Sequence, residues 1–114
     1  MDRRQRLTSS HDVQRVRTTG RSYAHPLAVL VTCRNDLESS RFAVAAGRSL
    51  GGAVRRNRAK RRLRAVLRLL APLIAPGWDV LLLARETTPT ADWPDLQRAV
   101  AGLCRRAGLL IENA

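Results

Sequence analysis

The stretch between Glu38 and Asp79 contains no acidic residue and holds nearly half of the basic residues in the chain. Almost all of them are arginines, whose planar guanidinium group pairs with two phosphate oxygens or stacks on a base. A cluster of this kind is typical of a surface that binds a polyanion. Its members are Arg41, Arg48, Arg55, Arg56, Arg58, Lys60, Arg61, Arg62, Arg64 and Arg68.

The run from Ala53 to Leu70 has no glycine or proline and predicts a helix through this cluster. At about 100° per residue, apolar side chains gather on one side of it and polar ones on the other. Like charges at this spacing repel each other, so a purely structural helix would interleave glutamate. We interpret the polar side as a phosphate-binding face; the alternative, a solvated face, normally mixes both signs of charge. The apolar side holds Ala59, Leu63, Val66, Leu67 and Leu70, and the polar side holds Asn57, Arg61, Arg64 and Arg68.

Two features at the start of this helix allow two interpretations each. The amide of Asn57 can pair with a base edge, a 2′-hydroxyl or a phosphate, or it can serve a cap or a turn. The glycine-rich segment 47–52 can bring backbone N–H groups close to a phosphate, or it can simply make the turn.

No arrangement of residues predicts catalysis by the protein itself. His11 and His25 are isolated, and we expect the scattered carboxylates to be caps, turn formers or surface charges. Cys33 and Cys104 lack the spacing of a zinc site and predict reduced core residues. The carboxylates considered are Asp36, Glu38, Asp79, Glu86, Asp92 and Asp95.

The composition predicts one compact cytoplasmic domain spanning residues 1–114. Hydrophobic residues make up 45% of the chain, the net charge is +12 and the sequence pI is about 11.7, values that favour a globular nucleic-acid binder. Codon composition can account for part of the preference for arginine over lysine. No apolar run predicts a signal peptide or a membrane span.

The remaining pattern predicts a mixed α+β domain with one sheet and helices packed on it. A short first helix follows a cap among residues 8–10, carries Val13 and Val16 on one side and ends near Gly20. A last helix follows Asp92 and stops at Gly108. The predicted strands are Tyr23–Cys33, bent at Pro26, Phe42–Ala46 and Val80–Ala84.

The string from Gly51 to Arg64, GGAVRRNRAKRRLR, resembles the signature of bacterial ribonuclease P proteins, G-N-A-V-x-R-N-R-x-K-R-x-x-R. Gly52 replaces the asparagine of that pattern. Supporting matches extend over nearly the whole chain: Arg6, Leu7, Asp12, Gln14, Val16, Gly20, Arg41, Asp79 and Arg85.

The resemblance implies an α/β sandwich of element order αβββαβα, with one central mixed sheet and a left-handed βαβ crossover through the basic helix. The same fold occurs in the second domain of a small-subunit ribosomal protein. General rules of chain connection would have predicted a right-handed crossover.

The resemblance also implies two RNA-binding surfaces. The residues implied for the RNA subunit of ribonuclease P are Arg48, Arg55, Arg56, Asn57, Arg58, Lys60, Arg61, Arg64 and Arg68. A cleft between the first helix and the sheet is implied for the single-stranded 5′ leader of precursor tRNA, with Arg6, Val13, Arg17 and Val31. Because Val13, Arg17 and Val31 replace aromatic residues of the family, we expect the leader to depend more on Arg17 and electrostatics than on stacking. Trp78 and Trp93 are interpreted as packing residues.

The function implied is that of the protein subunit of ribonuclease P, which assists removal of the leader to give the mature 5′ end of tRNA. The RNA subunit and its Mg²⁺ ions carry the chemistry, and the protein alone binds no cofactor and no metal. The implied partners are the RNA subunit, with one protein copy each, and precursor tRNA. Two other classes fit the composition: a ribosomal or RNA-chaperone protein, and a DNA-binding regulator, although strands precede the basic helix where a helix-turn-helix would be required.

Overall fold

The computed structural model describes residues 5–111; residues 1–4 and 112–114 lie outside the described part. The described part contains three α-helices, four strands and short 3₁₀ turns. In chain order the main elements are α1 (Ser10–Thr19), β1 (Arg21–His25), β2 (Ala28–Arg34), β3 (Arg41–Ala45), α2 (Ala53–Leu70), β4 (Trp78–Ala84) and α3 (Trp93–Arg106). The predicted α+β class and the order αβββαβα are confirmed.

The strands form one mixed sheet in the order β1-β2-β4-β3. β1 pairs with β2, and β2 with β4, in antiparallel fashion, whereas β3 and β4 are parallel. Parallel neighbours cannot be joined by a hairpin, so α2 is the crossover that returns the chain from β3 to β4.

The two faces of the sheet are covered differently. One face carries alternate residues such as Leu30 and Leu82 and packs against α2 and α3 in the larger core. The other face carries Val31 and Leu81, on which α1 places Val16 and the preceding segment places Leu7. Beside α1 on this second face lies a row of paired residues, Val29, Leu83 and Ala45, that is only half-buried. We call these three residues the open row.

The prediction of a single strand bent at Pro26 is wrong. The chain reverses there, and β1 and β2 form a hairpin in which His25 pairs with Ala28. The backbone N–H of Leu27 donates to Nδ1 of His25 at 3.0 Å. Proline has no N–H to donate and fixes its own φ angle, both of which suit it to a tight turn.

The helix boundaries follow local chain chemistry closely. α1 begins after Ser9, whose hydroxyl accepts from the N–H of Asp12. α2 has the predicted bounds, and Gly51 before it has a φ of 108°, a left-handed value that favours glycine. Asp92 holds the cap position of α3, but its side chain makes no capping hydrogen bond.

Candidate nucleic-acid interface

The polar side of α2 is a continuous exposed face, as predicted. Asn57, Arg61, Arg64 and Arg68 are all exposed, and we call these four residues the exposed basic face. Within residues 5–111 their side chains make no hydrogen bond or ion pair. A groove of about 440 Å³ runs between Asn57, Arg61, Arg64 and Val54, whose apolar side chain is 84% exposed. The guanidinium groups here are therefore available to a ligand from outside the protein.

Asn57 is the fifth residue of α2, four positions after its first residue, Ala53. The cap of this helix is Gly52, so the interpretation of Asn57 as a capping or turn residue is wrong. Asn57 instead lines the same groove as Arg61. An amide among arginines adds a donor and an acceptor that can contact a base edge or a 2′-hydroxyl.

A second groove, of about 430 Å³, links α2 with the segment before α1. In this segment Arg6 forms a parallel bridge with Phe42, and the N–H of Leu7 donates to the carbonyl of Phe42 at 2.8 Å. The pairing brings Arg6 to the same groove as Arg64 and Arg68. The two predicted RNA surfaces, one on α2 and one beside α1, therefore adjoin at the edge of β3.

A third side of α2 uses its arginines inside the protein. Nη2 of Arg55 donates to the carbonyl of Glu86 at 2.8 Å, and Nε of Arg58 donates to that of Pro89 at 2.9 Å. Arg62 donates to the carbonyl of Thr88 at 2.7 Å and to that of Ala91. We call Arg55, Arg58 and Arg62 the clamp, because they hold the connection between β4 and α3. Burial, and then the charge of Arg58, lower the pKa of Arg62.

Two clamp residues, Arg55 and Arg58, were also predicted to contact RNA. Arg55 and Arg58 are exposed and keep free N–H groups, so their contact with RNA stays a prediction. Arg62, which occupies a variable position of the motif, is half-buried and was not predicted to bind RNA. Sequence reasoning missed this structural role because the acceptors are backbone carbonyls, which any residue can supply.

The remaining predicted residues at the start of α2 have mixed surroundings. Arg56 and Lys60 are half-buried, and Arg48 is exposed in the turn before the helix. The Nε–H of Arg56 is buried and has no acceptor within the described residues. A buried donor without an acceptor is costly, so an acceptor supplied by a ligand would stabilise it.

The predicted leader cleft lies where α1 meets the open row. Val13 and Arg17, four residues apart, share one side of α1, and Val13 packs in the cluster that contains the open row. Arg17 is exposed at this rim. Val31 is only 2% exposed beneath Val16, so it supports the cleft from below and offers a nucleotide almost no surface.

Asp79 corrects the expectation that the carboxylates are caps, turn formers or surface charges. Its side chain is fully buried and accepts from Nε and Nη2 of Arg41 at 2.9 and 2.7 Å. It also accepts from Nδ2 of Asn35 at 2.9 Å and from Arg15. Arg41 reaches Asp12 as well, at 3.3 Å. We call these five residues the Asp79 cluster.

Burial alone would raise the pKa of Asp79, but the hydrogen bonds from Arg41, Asn35 and Arg15 outweigh it, so this pKa lies below its ordinary value. The carboxylate is therefore ionised at neutral pH. The cluster has no net charge, because the two arginines, Arg15 and Arg41, are matched by the two aspartates, Asp12 and Asp79.

The tryptophan and cysteine residues singled out in the sequence lie outside the two proposed RNA surfaces. Trp78 packs against the larger core with Arg34 over its ring at 4.8 Å. Cys33 and Cys104 are free. Cys104 is a core residue, as predicted, and burial raises its pKa to about 11, whereas Cys33 is only half-buried. Within residues 5–111, no group of three histidine, cysteine or acidic side chains could hold a metal ion. No helix of that part is long and apolar enough to cross a membrane.

Comparison with known proteins gives one consistent family. A family profile described as Ribonuclease P matches residues 1–108. The ribonuclease P protein component of Herpetosiphon aurantiacus is 43% identical over 109 residues, which cover 96% of this chain and 89% of that protein. The corresponding protein of Roseiflexus castenholzii is 40% identical over 111 residues, covering 96% and 91%.

Solved structures of two other bacterial proteins have the same fold. The ribonuclease P protein of Staphylococcus aureus, solved at 2.0 Å, has a TM-score of 0.82 and 25% identity, covering 94% of this chain and 98% of that one. The protein of Thermotoga maritima has a TM-score of 0.78 and 26% identity, covering 95% and 98%.

Proposed function

Because the chain belongs to the ribonuclease P protein family, we propose that it binds the RNA subunit through the exposed basic face and the 5′ leader of precursor tRNA beside α1. As a ribonuclease P protein component it is a subunit of a ribonuclease of tRNA processing, and ribonuclease P RNA is its partner.

The observation that supports the RNA-subunit surface is the set of unpaired guanidinium groups on α2. Arg61, Arg64 and Arg68 lie along one exposed side and have no acidic neighbour on the helix. Their mutual repulsion costs stability that an RNA backbone offsets by binding. Arg56 contributes a buried Nε–H that an RNA acceptor can satisfy, and the exposed Arg48 extends the charged surface beyond the helix.

The leader surface is supported by the open row and by the second groove, which links the segment before α1 with α2. Half-buried small and aliphatic side chains form a floor that an unpaired strand can lie on, and Arg17 supplies charge at its rim. Arg6 lies in the second groove together with Arg64 and Arg68, and within residues 5–111 no acidic residue lines this groove, so a strand that leaves the RNA subunit can follow it toward α1. With no aromatic side chain among Val13, Arg17 and Val31, the leader contacts are electrostatic, and affinity for it falls as salt rises.

In this proposal the protein positions the RNAs and the RNA subunit, with its Mg²⁺ ions, cleaves the phosphodiester. Positive charge on the protein reduces the repulsion between two folded polyanions, which lowers the Mg²⁺ concentration that activity requires. The protein holds no cofactor of its own, acts in the cytoplasm and joins each RNA subunit as one copy.

The test is cleavage of a precursor tRNA by a bacterial ribonuclease P RNA at low Mg²⁺, with and without this protein. We expect stimulation and a correct mature 5′ end. Tight binding of RNA without stimulation would contradict the proposal, and co-purification with ribosomal RNA would favour a ribosomal or chaperone role.

A further inference from the structure

The open row offers a cleft only if α1 stands at a fixed height and angle beside it. α1 is a short helix that contacts mainly β2 and β4, and Val16 is its one fully buried residue. A single buried aliphatic side chain leaves a helix free to tilt or slide on the sheet. Additional contacts must therefore fix its position.

The Asp79 cluster supplies such contacts at the middle of α1. Asp79 lies in β4, Arg41 pairs with it in the parallel register from β3, and Arg15 reaches it from α1. Nη1 of Arg15 also donates to Sγ of Cys33 in β2, at 3.2 Å. Three strands are thus tied to one helix through side chains of fixed geometry, since the Asp79 carboxylate is fully buried and saturated with donors.

Gly20 fixes the other end of α1. A Cβ atom there would lie 2.4 Å from the carbonyl oxygen of Val16 and 2.8 Å from that of Thr32. No heavy atom fits at such distances, so the end of the helix touches the backbone of β2 directly. The helix is therefore fixed near its middle and at its C-terminal end.

The geometry of α1 separates these contacts from the cleft. Arg15 and Thr19 share the side that approaches Cys33, whereas Val13 and Arg17 share the side toward the open row. We propose that Arg15, Arg41 and Asp79 are positioning residues for leader binding: they touch no RNA and set the distance between α1 and the open row. The inference rests on the proposed leader surface.

The experiment uses holoenzyme reconstituted from this protein and a bacterial ribonuclease P RNA. The Kd is measured for precursor tRNA with a leader and for the same tRNA without one, and the ratio of the two gives the leader-dependent gain. Arg15→Gln is the main variant, because the Arg15 side chain is one-third exposed and belongs to neither hydrophobic cluster. Asp79→Asn is the second variant, and Arg15→Lys, which keeps the charge, tests rescue.

We expect Arg15→Gln to reduce the leader-dependent gain by roughly fivefold to tenfold, because a misplacement of about 1 Å is enough to spoil a positioned contact. The KM for the precursor with a leader should rise while kcat at saturation is unchanged. Affinity for leaderless tRNA and for the RNA subunit should stay within about twofold of the wild type. Arg15→Lys should recover part of the gain.

Two controls separate positioning from general stability. Arg62→Met removes clamp hydrogen bonds far from α1, and Arg98→Gln removes an exposed ion pair with Asp95 on α3. Both should keep the leader-dependent gain.

A folded Arg15→Gln protein with the full gain would overturn the inference while leaving the proposed function intact. Loss of the gain in Arg62→Met would also overturn it, because the effect would then follow stability alone. A wild-type protein without any leader-dependent gain would overturn the leader part of the proposed function and this inference with it.

Discussion

Two sides of α2 carry arginines at the same helical spacing, but their surroundings differ. On the exposed basic face, Arg61, Arg64 and Arg68 have no partner among the described residues. On the clamp side, Arg58 and Arg62 donate to backbone carbonyls of the β4–α3 connection. The arginines of the exposed basic face are available to bind an anion from outside the protein, and those of the clamp stabilise the β4–α3 connection.

The comparison shows that charge alone does not identify an RNA contact. A guanidinium group that already donates to buried or half-buried carbonyls stabilises the fold, whatever its charge adds to the surrounding field. An arginine with free N–H groups and no acid nearby costs stability until an anion arrives. Predictions about the two sides should therefore differ in what is lost: RNA affinity on one and folding stability on the other.

The largest effect is expected where arginines bind a fully buried carboxylate. Asp79→Asn should lower the free energy of unfolding by about 3 kcal/mol, because it removes the buried carboxylate that accepts from Arg41 and Arg15 and leaves Arg41 with only the partly exposed Asp12. Denaturant unfolding at neutral pH measures the loss.

The same cluster predicts a direction of pH dependence. The pKa of Asp79 is lowered on folding, so its contribution is fully present above its ordinary pKa of 3.8 and is lost as the pH falls through the lower, folded value. Between those two values the wild type should lose stability more steeply than Asp79→Asn. Parallel curves for the two proteins would contradict this assignment.

On the exposed basic face, charge reversal should cost RNA affinity. Arg64→Glu, or Arg61→Glu, should weaken binding of the RNA subunit by roughly tenfold or more at low salt, since each removes a charge-assisted contact and adds repulsion. The free energy of unfolding should change by less than about 0.5 kcal/mol, as is usual for surface substitutions. Unchanged RNA binding at low salt would remove the basis for this face.

On the clamp side the expected effects are reversed. Arg62→Met should lower the free energy of unfolding by about 1–2 kcal/mol, because the carbonyls of Thr88 and Ala91 lose their donor. RNA affinity should stay within about twofold. Urea unfolding and filter binding on the same protein measure both, with Arg61→Met as the matched variant from the other side.

The smallest effect is expected where an arginine is paired but exposed. Arg98 and Asp95 form an ion pair on α3, with side chains that are 74% and 52% exposed. Arg98→Gln should change the free energy of unfolding by less than about 0.5 kcal/mol and leave RNA binding as it is. A larger loss in thermal unfolding would show that exposure is a poor guide to the role of an arginine here.

The parts of the fold that local chemistry controls could be predicted from sequence. α2 has its predicted bounds because glycines precede it and Pro72 follows it, and its buried side follows from helical spacing. The hairpin at Pro26 was missed because its turn lacks an Asn-Gly type of signal and is stabilised instead by the ring nitrogen of His25.

The parts that depend on distant partners could not be predicted from composition or spacing. The clamp joins α2 to carbonyls 26–31 residues away, and carbonyls leave no mark in a sequence. The burial of Asp79 depends on Arg15, Arg41 and Asn35, which are 64, 38 and 44 positions away. The register that pairs Arg41 with Asp79 shows that this carboxylate of β4 is the centre of an ion-pair cluster.

The central claim is that one side of α2 binds RNA and another side stabilises the fold. Its most direct test is the salt dependence of RNA-subunit binding in two triple variants. One replaces Arg61, Arg64 and Arg68 with glutamine, and the other replaces the clamp arginines Arg55, Arg58 and Arg62 with glutamine. In a plot of log affinity against log salt, the first should have a slope shallower than wild type by about 2 to 3, since each lost phosphate contact removes about 0.7–0.9. The second, under conditions where it is folded, should lose less of the slope, at most the contacts of the exposed Arg55 and Arg58. Equal losses of slope in both variants would contradict the account, because the two sides of the helix would then serve the RNA alike.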